Sequence, residues 1–288
     1  MEEFFARVFR RKGKFFALLE VGRPWNGMMS GLIAVVGLAL SGAFSPVTAF
    51  LLFILFTLAY MAGSTINDIY DEYVDRFNMP FRPLQESRLT RNEAWNFTIF
   101  LHIVIILIAV LIGWEVLLIA ILSLIMGALY SIPPIRFCGR GVISQIELCI
   151  PMVMFPFFGG LFANGFILDI NRIGVVLGIT LMFTFIFLFK DFKDIEGDKR
   201  YGKFTAVIQL GERKTIILGV SGVSLFLVIT VLMLWRMGLD VYYLAGLFLF
   251  LPLFIYIGLK IRDNPSRRFG ELRLVALFFV LYLLALLL

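Results

Sequence analysis

Nine apolar segments recur along the chain, and they limit its possible folds more than any other feature. Each approaches the roughly 20 residues that an α-helix needs to cross a bilayer. The chain is 60% hydrophobic and 16% charged, whereas a soluble domain is about 45–50% apolar and about 25% charged. The sequence therefore predicts a single polytopic domain over residues 1–288, an all-α membrane protein with nine transmembrane helices at 25–43, 47–67, 95–113, 115–131, 142–164, 173–190, 215–236, 241–260 and 271–288.

The first 22 residues precede these segments and are charged and amphipathic. This pattern predicts no cleavable signal peptide. It favours an interfacial N-terminal helix within 1–22, whose apolar side faces lipid through Phe4, Phe5, Val8 and Phe9.

The positions of lysine and arginine predict the orientation of the helices, because cytoplasmic loops are enriched in these residues. With the N-terminus placed in the cytoplasm, 24 of the 26 lysines and arginines fall on the cytoplasmic side. Only Arg172 and Arg236 fall outside. We therefore expect a multi-pass protein of the cell membrane with a cytoplasmic N-terminus. The net charge of +6 follows from this loop pattern, and we expect no nucleic-acid partner.

Two acidic motifs with the same spacing end the second and sixth segments. Each has aspartates at i, i+3 and i+7, and the copies are 123 residues apart: Asp68, Asp71 and Asp75, then Asp191, Asp194 and Asp198. This spacing places three carboxylates on one face of a helix. The offset predicts two pseudo-repeated halves of four helices each, with the ninth helix additional. Both motifs would open towards the cytoplasm.

Three carboxylates on one face repel each other unless cations lie between them. Mg²⁺ is commonly held by one or two carboxylates together with phosphate oxygens. We therefore predict Mg²⁺ as the cofactor, with all six aspartates as metal ligands around a bound polyphosphate. A zinc site is not expected, because the single histidine, His102, lies within an apolar segment.

Basic residues close to the motifs are candidates to bind phosphate groups. They are Arg76, Arg82 and Arg88 after the first motif, and Lys190, Lys193, Lys199, Arg200 and Lys203 around the second. The 32 phenylalanines favour a dry apolar interior. Such an interior would suit a lipidic tail, and aromatic faces would stabilise an allylic carbocation.

The paired motifs resemble those of the UbiA superfamily of intramembrane prenyltransferases. The resemblance is carried by Asn67-Asp-x-x-Asp-x-x-x-Asp75 and Asp191-x-x-Asp194-x-x-x-Asp198. It extends to three further stretches, Arg23-Pro24 with Asn26, Tyr130-Ser-Ile-Pro-Pro-Ile-Arg136, and Asp194-Ile-Glu-Gly-Asp198-Lys-Arg-Tyr-Gly202-Lys. It implies nine helices around a central cavity, with a Mg²⁺-diphosphate site at the cytoplasmic end.

Residue chemistry and this resemblance together nominate the site residues. The catalytic candidates are Asp68, Asp71, Asp194 and Tyr130. The substrate-binding candidates are Arg23, Asn26, Asn67, Arg76, Arg82, Arg88, Tyr130, Ser131, Arg136, Lys190, Lys193, Lys199, Tyr201 and Lys203. Two positions depart from the family pattern, since Pro134 stands where several members have lysine and Phe81 where aspartate is common. Arg136 is the candidate replacement for that lysine.

The acceptor of the prenyl group is open between two classes. The segment that begins at Lys190-Asp-Phe-Lys-Asp-Ile-Glu is more similar to the archaeal lipid type. It favours Mg²⁺-dependent transfer from a polyprenyl diphosphate, geranylgeranyl diphosphate, to geranylgeranylglyceryl phosphate in ether-lipid biosynthesis. The alternative acceptor is an aromatic quinone precursor of the 4-hydroxybenzoate or naphthoate type. The non-enzyme alternative is a cation transporter, in which mid-membrane carboxylates would be expected.

Overall fold

The computed structural model describes residues 13–165 and 168–288. Their secondary structure is mainly helical, with two short parallel strands, β1 (Arg140–Gly141) and β2 (Phe204–Thr205). The helices are α1 (Gly13–Gly22), α2 (Pro24–Leu40), α3 (Pro46–Tyr70), α4 (Glu72–Asn78), α5 (Arg91–Ile112), α6 (Trp114–Ser131), α7 (Val142–Phe162), α8 (Ile170–Phe187), α9 (Ile195–Arg200), α10 (Ala206–Leu210), α11 (Glu212–Arg236), α12 (Val241–Leu259) and α13 (Pro265–Leu287).

Within the described ranges, eight helices are long and apolar enough to cross a membrane: α3, α5, α6, α7, α8, α11, α12 and α13. The remaining predicted segment, 25–43, corresponds to α2, which is apolar but only 17 residues long. Exposed apolar side chains on α5, such as Ile99, Ile103 and Leu107, form a lipid-compatible surface. The fold is that of a multi-pass membrane protein.

The start of α5 shows how local sequence sets a helix boundary. The predicted segment began at residue 95, whereas the helix begins at Arg91. Thr90 accepts a hydrogen bond from the backbone N–H of Glu93, and the Glu93 carboxylate accepts one from the backbone N–H of Thr90. This capping box stabilises a polar first turn that precedes the apolar run.

Helices that follow one another in the chain pack side by side, and α13 packs against α2 to close the arrangement around a cavity. Helices α2 and α7 also cross closely near their C-terminal ends. A Cβ at Gly160 would clash with the backbone oxygen of Ala34, and one at Gly37 with that of Phe157. Glycine therefore permits a crossing that closes this end of the space between the two helices.

The predicted interfacial helix is described only in part. Residues 1–12, which include Phe4, Phe5, Val8 and Phe9, lie outside the described ranges. Helix α1 buries Ala17 and Val21 in a small apolar cluster with Ile69, Leu89 and Ala94. This part of the N-terminal region thus packs on the protein beside the end of α3.

Each acidic motif was predicted to lie on one face of one helix, but the backbone turns at its central aspartate. Asp71 separates α3 from α4 with φ −94° and ψ 8°. Asp194 separates a 3₁₀ turn at Lys190–Lys193 from α9 with φ −113° and ψ 6°. Both motifs therefore change helical segment at the same position and with a similar conformation.

Candidate active site

A cavity of about 420 Å³ lies between the N-terminal halves of α2, α7 and α13 and the C-terminal halves of α3, α6 and α8. Its apolar wall includes Met29, Met152, Phe183, Phe187 and Leu277. Charged side chains of both acidic motifs line the opposite part. The cavity thus joins a polar end to an apolar chamber.

Five of the six predicted metal-binding aspartates line this cavity: Asp71, Asp75, Asp191, Asp194 and Asp198. Asp68 does not line the cavity; it is buried, with 1% of its surface exposed. Its Oδ1 accepts hydrogen bonds from Arg23 and, at 3.0 Å, from Nη1 of Arg82. The start of α2 and the loop after α4 therefore engage Asp68 beside the cavity, so the first motif presents two carboxylates there instead of three.

The segments that carry the two motifs touch each other. Nδ2 of Asn78, at the end of α4, donates a hydrogen bond to Oδ1 of Asp198 on α9 at 3.2 Å. A Cβ at Gly197 would clash with the side-chain amide of Asn78. Glycine at 197 thus allows α9 to approach α4 closely enough to place both acidic motifs at one site.

Cationic side chains neutralise most of the cavity carboxylates. Nζ of Lys203 lies 2.6 Å from Oδ2 of Asp71, and Nη2 of Arg136 lies 2.7 Å from its Oδ1. Arg82 also pairs with Asp75. In the second motif the partners are sequence neighbours, Lys190 with Asp191 at 3.1 Å and Lys193 with Asp194 at 3.0 Å. The result is an alternating array of charges, suited to an anion held with a cation.

Three motif carboxyls outside the spanning helices have pKa values that are shifted from the ordinary aspartate value in different directions. Burial alone would raise the pKa of Asp71, but Lys203 and Arg136 lower it to about 2. Burial dominates at Asp75 and Asp198, and raises their pKa values to about 6 and about 7. A nearby cation favours the charged form of such carboxyls.

The donor set fits Mg²⁺ better than a softer metal, because the acidic motifs supply only carboxylate oxygens. No group of three His, Cys, Asp or Glu side chains forms a ready-made metal site within residues 13–165 and 168–288. Mg²⁺ is usually held by one or two carboxylates, with phosphate oxygens and waters completing its shell. The five cavity aspartates suit binding of this kind, in which substrate supplies ligands.

Several predicted substrate-binding residues lie at the cavity. Nζ of Lys190 donates to the Tyr130 hydroxyl at 2.8 Å, and both residues line the space. Asn67 lines it too, and its Nδ2 donates to Asp71 Oδ2 and to the Ser131 hydroxyl, both at 3.2 Å. Ser131 is fully buried and supports Asn67 from outside the cavity. The other predicted residues on the cavity wall are Arg23, Asn26, Arg82, Lys193 and Lys203.

The structure does not bring every predicted residue to the cavity. Arg76 has a side chain 70% exposed and pairs with Glu72. Lys199 is exposed on α9. Neither contributes to the cavity wall.

Arg88 and Tyr201 also lie elsewhere. Arg88 donates to both carboxylate oxygens of Glu20, at 2.7 and 2.9 Å, which ties the loop before α5 to α1. The Tyr201 ring packs edge-on against Tyr73 at a separate surface pocket. Arg136 lines that outer pocket and reaches Asp71 from there.

Three cavity or motif contacts were not anticipated from the sequence. Asn78 bridges the two motifs, as described above. Gln145 donates to Oδ2 of Asp191 at 2.7 Å from a fully buried position on α7. Arg273 projects from α13 into the cavity, and its signal was a charge within the apolar segment 271–288.

Fold and site together define a class, a multi-pass membrane protein whose charged site adjoins an apolar chamber. Residues 28–287 match the UbiA prenyltransferase family, and the chain belongs to that family. It is a prenyltransferase, and the predicted resemblance is confirmed.

Similar proteins include two archaeal enzymes named digeranylgeranylglyceryl phosphate synthase. The protein of Sulfolobus acidocaldarius is 31% identical over 250 residues, which is 84% of this chain and 86% of that protein. The protein of Thermococcus gammatolerans is 27% identical over 274 residues, which is 92% of this chain and 95% of that protein.

Solved structures agree with the fold. A UbiA homologue from Archaeoglobus fulgidus, bound to GPP and Mg²⁺, has a TM-score of 0.69 and 20% identity. The match covers 94% of this chain and 99% of the other. A homologue from Aeropyrum pernix without ligand has a TM-score of 0.72 and 20% identity, with 90% and 97% coverage. These likenesses show a shared fold.

Proposed function

We propose that the chain transfers a prenyl group from a polyprenyl diphosphate, geranylgeranyl diphosphate, to the hydroxyl of geranylgeranylglyceryl phosphate in ether-lipid biosynthesis. The observation that carries this proposal is the joining of five carboxylates and their cations to an apolar chamber. The names of the archaeal relatives support the lipid acceptor over an aromatic one. The Archaeoglobus fulgidus homologue supports the pairing of a prenyl diphosphate with Mg²⁺.

The polar end would bind the diphosphate. Lys190, Lys193 and Lys203 present ammonium groups there, and Arg82 adds a guanidinium. Asp71, Asp75, Asp191, Asp194 and Asp198 would hold Mg²⁺. When bound, Mg²⁺ supplies neutralisation of the charge that develops on the leaving diphosphate.

The apolar end would take the prenyl chain. Cleavage of the bond between C1 and the diphosphate oxygen sends its electron pair to the diphosphate and leaves an allylic carbocation. The acceptor hydroxyl then forms the new C–O bond, and its proton passes to the departing diphosphate, which is the base that the reaction itself supplies. Tyr130, whose hydroxyl is fixed by Lys190, would orient that hydroxyl. The apolar wall would exclude water, which would otherwise capture the carbocation.

Asp68 takes a different role in this proposal from the one predicted. It holds Arg23 and Arg82 and is enclosed beside the cavity. We assign it to positioning these two cations rather than to Mg²⁺ or to the transferred proton. Asn67 and Arg136 position Asp71 in the same way, through their hydrogen bonds to its carboxylate.

We further propose that the chain is one polytopic domain with a defined orientation in the membrane. Helix α2 would be the ninth span, and the N-terminus and the polar end of the cavity would face the cytoplasm. The shared backbone turn at Asp71 and Asp194 supports a duplication of four helices. The apolar clusters support it too, since one draws mainly on α2, α3, α5 and α6 and the other mainly on α7, α8 and α11–α13.

The test is transfer by the purified protein in nanodiscs with Mg²⁺ and labelled geranylgeranyl diphosphate. Geranylgeranylglyceryl phosphate and 4-hydroxybenzoate would be offered separately. We expect a doubly prenylated glyceryl phosphate, with one diphosphate released for each product. A labelled aromatic product alone would assign the other acceptor class, and no diphosphate release with either acceptor would contradict the proposal.

A further inference from the structure

Arg273 is a charged residue of a membrane-spanning helix that lines the cavity. It lies two turns into α13, between the cavity-lining residues Phe269 and Leu277. An ionisable side chain inside a membrane-spanning helix is costly, and commonly marks a functional site. The proposed diphosphate site does not use it.

Arg273 differs from the other cations of the cavity in its partners. Six lysines and arginines line the space: Arg23, Arg82, Lys190, Lys193, Lys203 and Arg273. The first five pair with an aspartate. Among the residues that the structure describes, no carboxylate pairs with Arg273. Its positive charge is therefore available to an anion that enters the cavity.

The guanidinium is held in a defined orientation. Its Nη1 donates to Oδ1 of Asn26 on α2 at 2.5 Å. The guanidinium carbon, Cζ, lies 5.5 Å from the centre of the Phe269 ring. Nε is buried without a hydrogen-bond acceptor within the described part of the chain. Neither Nε nor Nη2 donates to an acceptor within the described part of the chain. This edge therefore keeps two donors for the parallel hydrogen bonds by which arginine binds phosphate, and a rotation of the side chain would bring the buried Nε to the cavity.

Asn26 relates this free edge to the acidic site. It follows Arg23 by three residues, about one helical turn, and Arg23 binds Asp68 of the first motif. Arg273 therefore lies beside the cations of the first motif but belongs to a different helix. A second anion could be bound there while a diphosphate occupies the lysine-rich part of the cavity.

We propose that Arg273, held by Asn26, binds the anionic phosphate of the acceptor, an inference that rests on the proposed function. The acceptor is a phosphate monoester whose attacking hydroxyl is close to the phosphate along the glycerol. Its headgroup must therefore enter the cavity near the reacting C1. Arg273 would fix that headgroup by its phosphate and select it over an uncharged glycerol ether.

The test is steady-state kinetics of Arg273→Gln and Arg273→Lys in nanodiscs, with each substrate varied in turn. For Arg273→Gln we expect KM for geranylgeranylglyceryl phosphate to rise roughly tenfold to a hundredfold, the loss expected for hydrogen bonds to a charged group. KM for geranylgeranyl diphosphate should stay within about twofold, as expected for a group that does not contact it. The KM of Arg273→Lys for geranylgeranylglyceryl phosphate should lie between those of the unaltered protein and Arg273→Gln. Lysine keeps the positive charge but lacks the two parallel donors of the guanidinium.

An uncharged acceptor gives a readout that a structural role would not change. Geranylgeranylglycerol should be a poor substrate for the unaltered protein, and Arg273→Gln should use geranylgeranylglycerol about as well as the unaltered protein does. The preference for the phosphate acceptor should therefore largely disappear. Arg267→Gln is the matched control, since Arg267 lies on the same helix with its side chain 72% exposed and paired with Glu271.

Binding of geranylgeranylglyceryl phosphate, measured without donor, separates this inference from the proposed function. Binding by the unaltered protein that is weakened in Arg273→Gln supports the inference whether or not transfer occurs. Equal binding by both, or a higher KM only for geranylgeranyl diphosphate, would overturn it. Absence of binding by the unaltered protein would overturn both, whereas binding without transfer would contradict the proposed function alone. Thermal unfolding of each variant would establish that it is folded. If Arg273→Gln does not fold, the same binding and kinetic comparison with the unaltered protein is made with Arg273→Lys.

Discussion

The side chain of Asn78 donates a hydrogen bond from Nδ2 to Oδ1 of Asp198 at 3.2 Å, and this contact joins the two acidic motifs across 120 residues of sequence. Asn78 ends α4 and Asp198 lies on α9, so the bond connects the segments that follow α3 and α8. Gly197 makes the approach possible, because any side chain there would meet Asn78. The composite site therefore depends on a helix contact as well as on its carboxylates.

Replacement of Gly197 by alanine should displace the Asn78 side chain and break its hydrogen bond to Asp198. The added methyl group clashes with the Asn78 amide. A displacement of about 1 Å in a catalytic site can reduce the rate roughly a hundredfold, and we expect a fall in kcat of that order. Gly270→Ala is the control, because nothing lies within 4 Å of its Cβ position. Full activity of Gly197→Ala would show that the close contact is not needed.

Replacement of Asp71 by asparagine should remove a carboxylate that serves the site directly. The change leaves Lys203 and Arg136 without their partner. We expect kcat/KM to fall by at least roughly a hundredfold, the upper range for the outer-shell partners of a metal. Asp263→Asn is the matched control, since Asp263 is exposed and pairs with the exposed Lys260 at 3.8 Å. Equal activity in the two variants would contradict the assigned role.

Chelation of divalent cations should abolish transfer, and Mg²⁺ should restore it. A bound metal supplies several kcal/mol of stabilisation to the leaving group, so we expect residual activity below roughly one per cent. Ca²⁺ should restore less, because it prefers longer bonds and more ligands than Mg²⁺. The measurement is diphosphate release with EDTA and then with excess of each ion. Unchanged release in EDTA would exclude a metal requirement.

Replacement of Arg88 by glutamine should lower stability more than it changes substrate binding. Arg88 binds Glu20, whose side chain is 7% exposed, and donates to the backbone oxygen of Phe81. The loss leaves a buried carboxylate without its cation and should cost about 1–3 kcal/mol in the free energy of unfolding. Thermal unfolding in detergent would measure it, with exposed Arg213→Gln as the control. A rise in KM for the prenyl diphosphate without a loss of stability would instead support the role predicted from sequence.

The proposed orientation places residue 199 in the cytoplasm and residue 43 on the opposite side. Both native cysteines, Cys138 and Cys149, are buried, so background labelling should be low. In sealed inverted vesicles, an impermeant thiol reagent should label Lys199→Cys, and should label Ala43→Cys only after permeabilisation. The reverse pattern would invert the topology.

Much of the fold could be predicted from sequence because its signals are local. Membrane-spanning segments are encoded in the composition of about 20 consecutive residues, and all nine predicted segments coincide with helices of the described chain. The spacing of the aspartates and the Thr90 cap are likewise short-range. Sequence alone therefore determined the class of protein, the paired acidic motifs and the family resemblance.

Only the tertiary structure decided which side chain meets which partner. The spacing of Asp68 predicted a cavity ligand, but Arg23 and Arg82 come from other segments and hold it beside the cavity. Arg88 and Arg273 both looked like cytoplasmic arginines, yet one ties a loop to α1 and the other lies in the cavity wall. The physical reason is that the partner of a charge depends on how helices distant in sequence pack together. Helical periodicity predicts only the face of a helix on which a residue lies, not the residue that it meets.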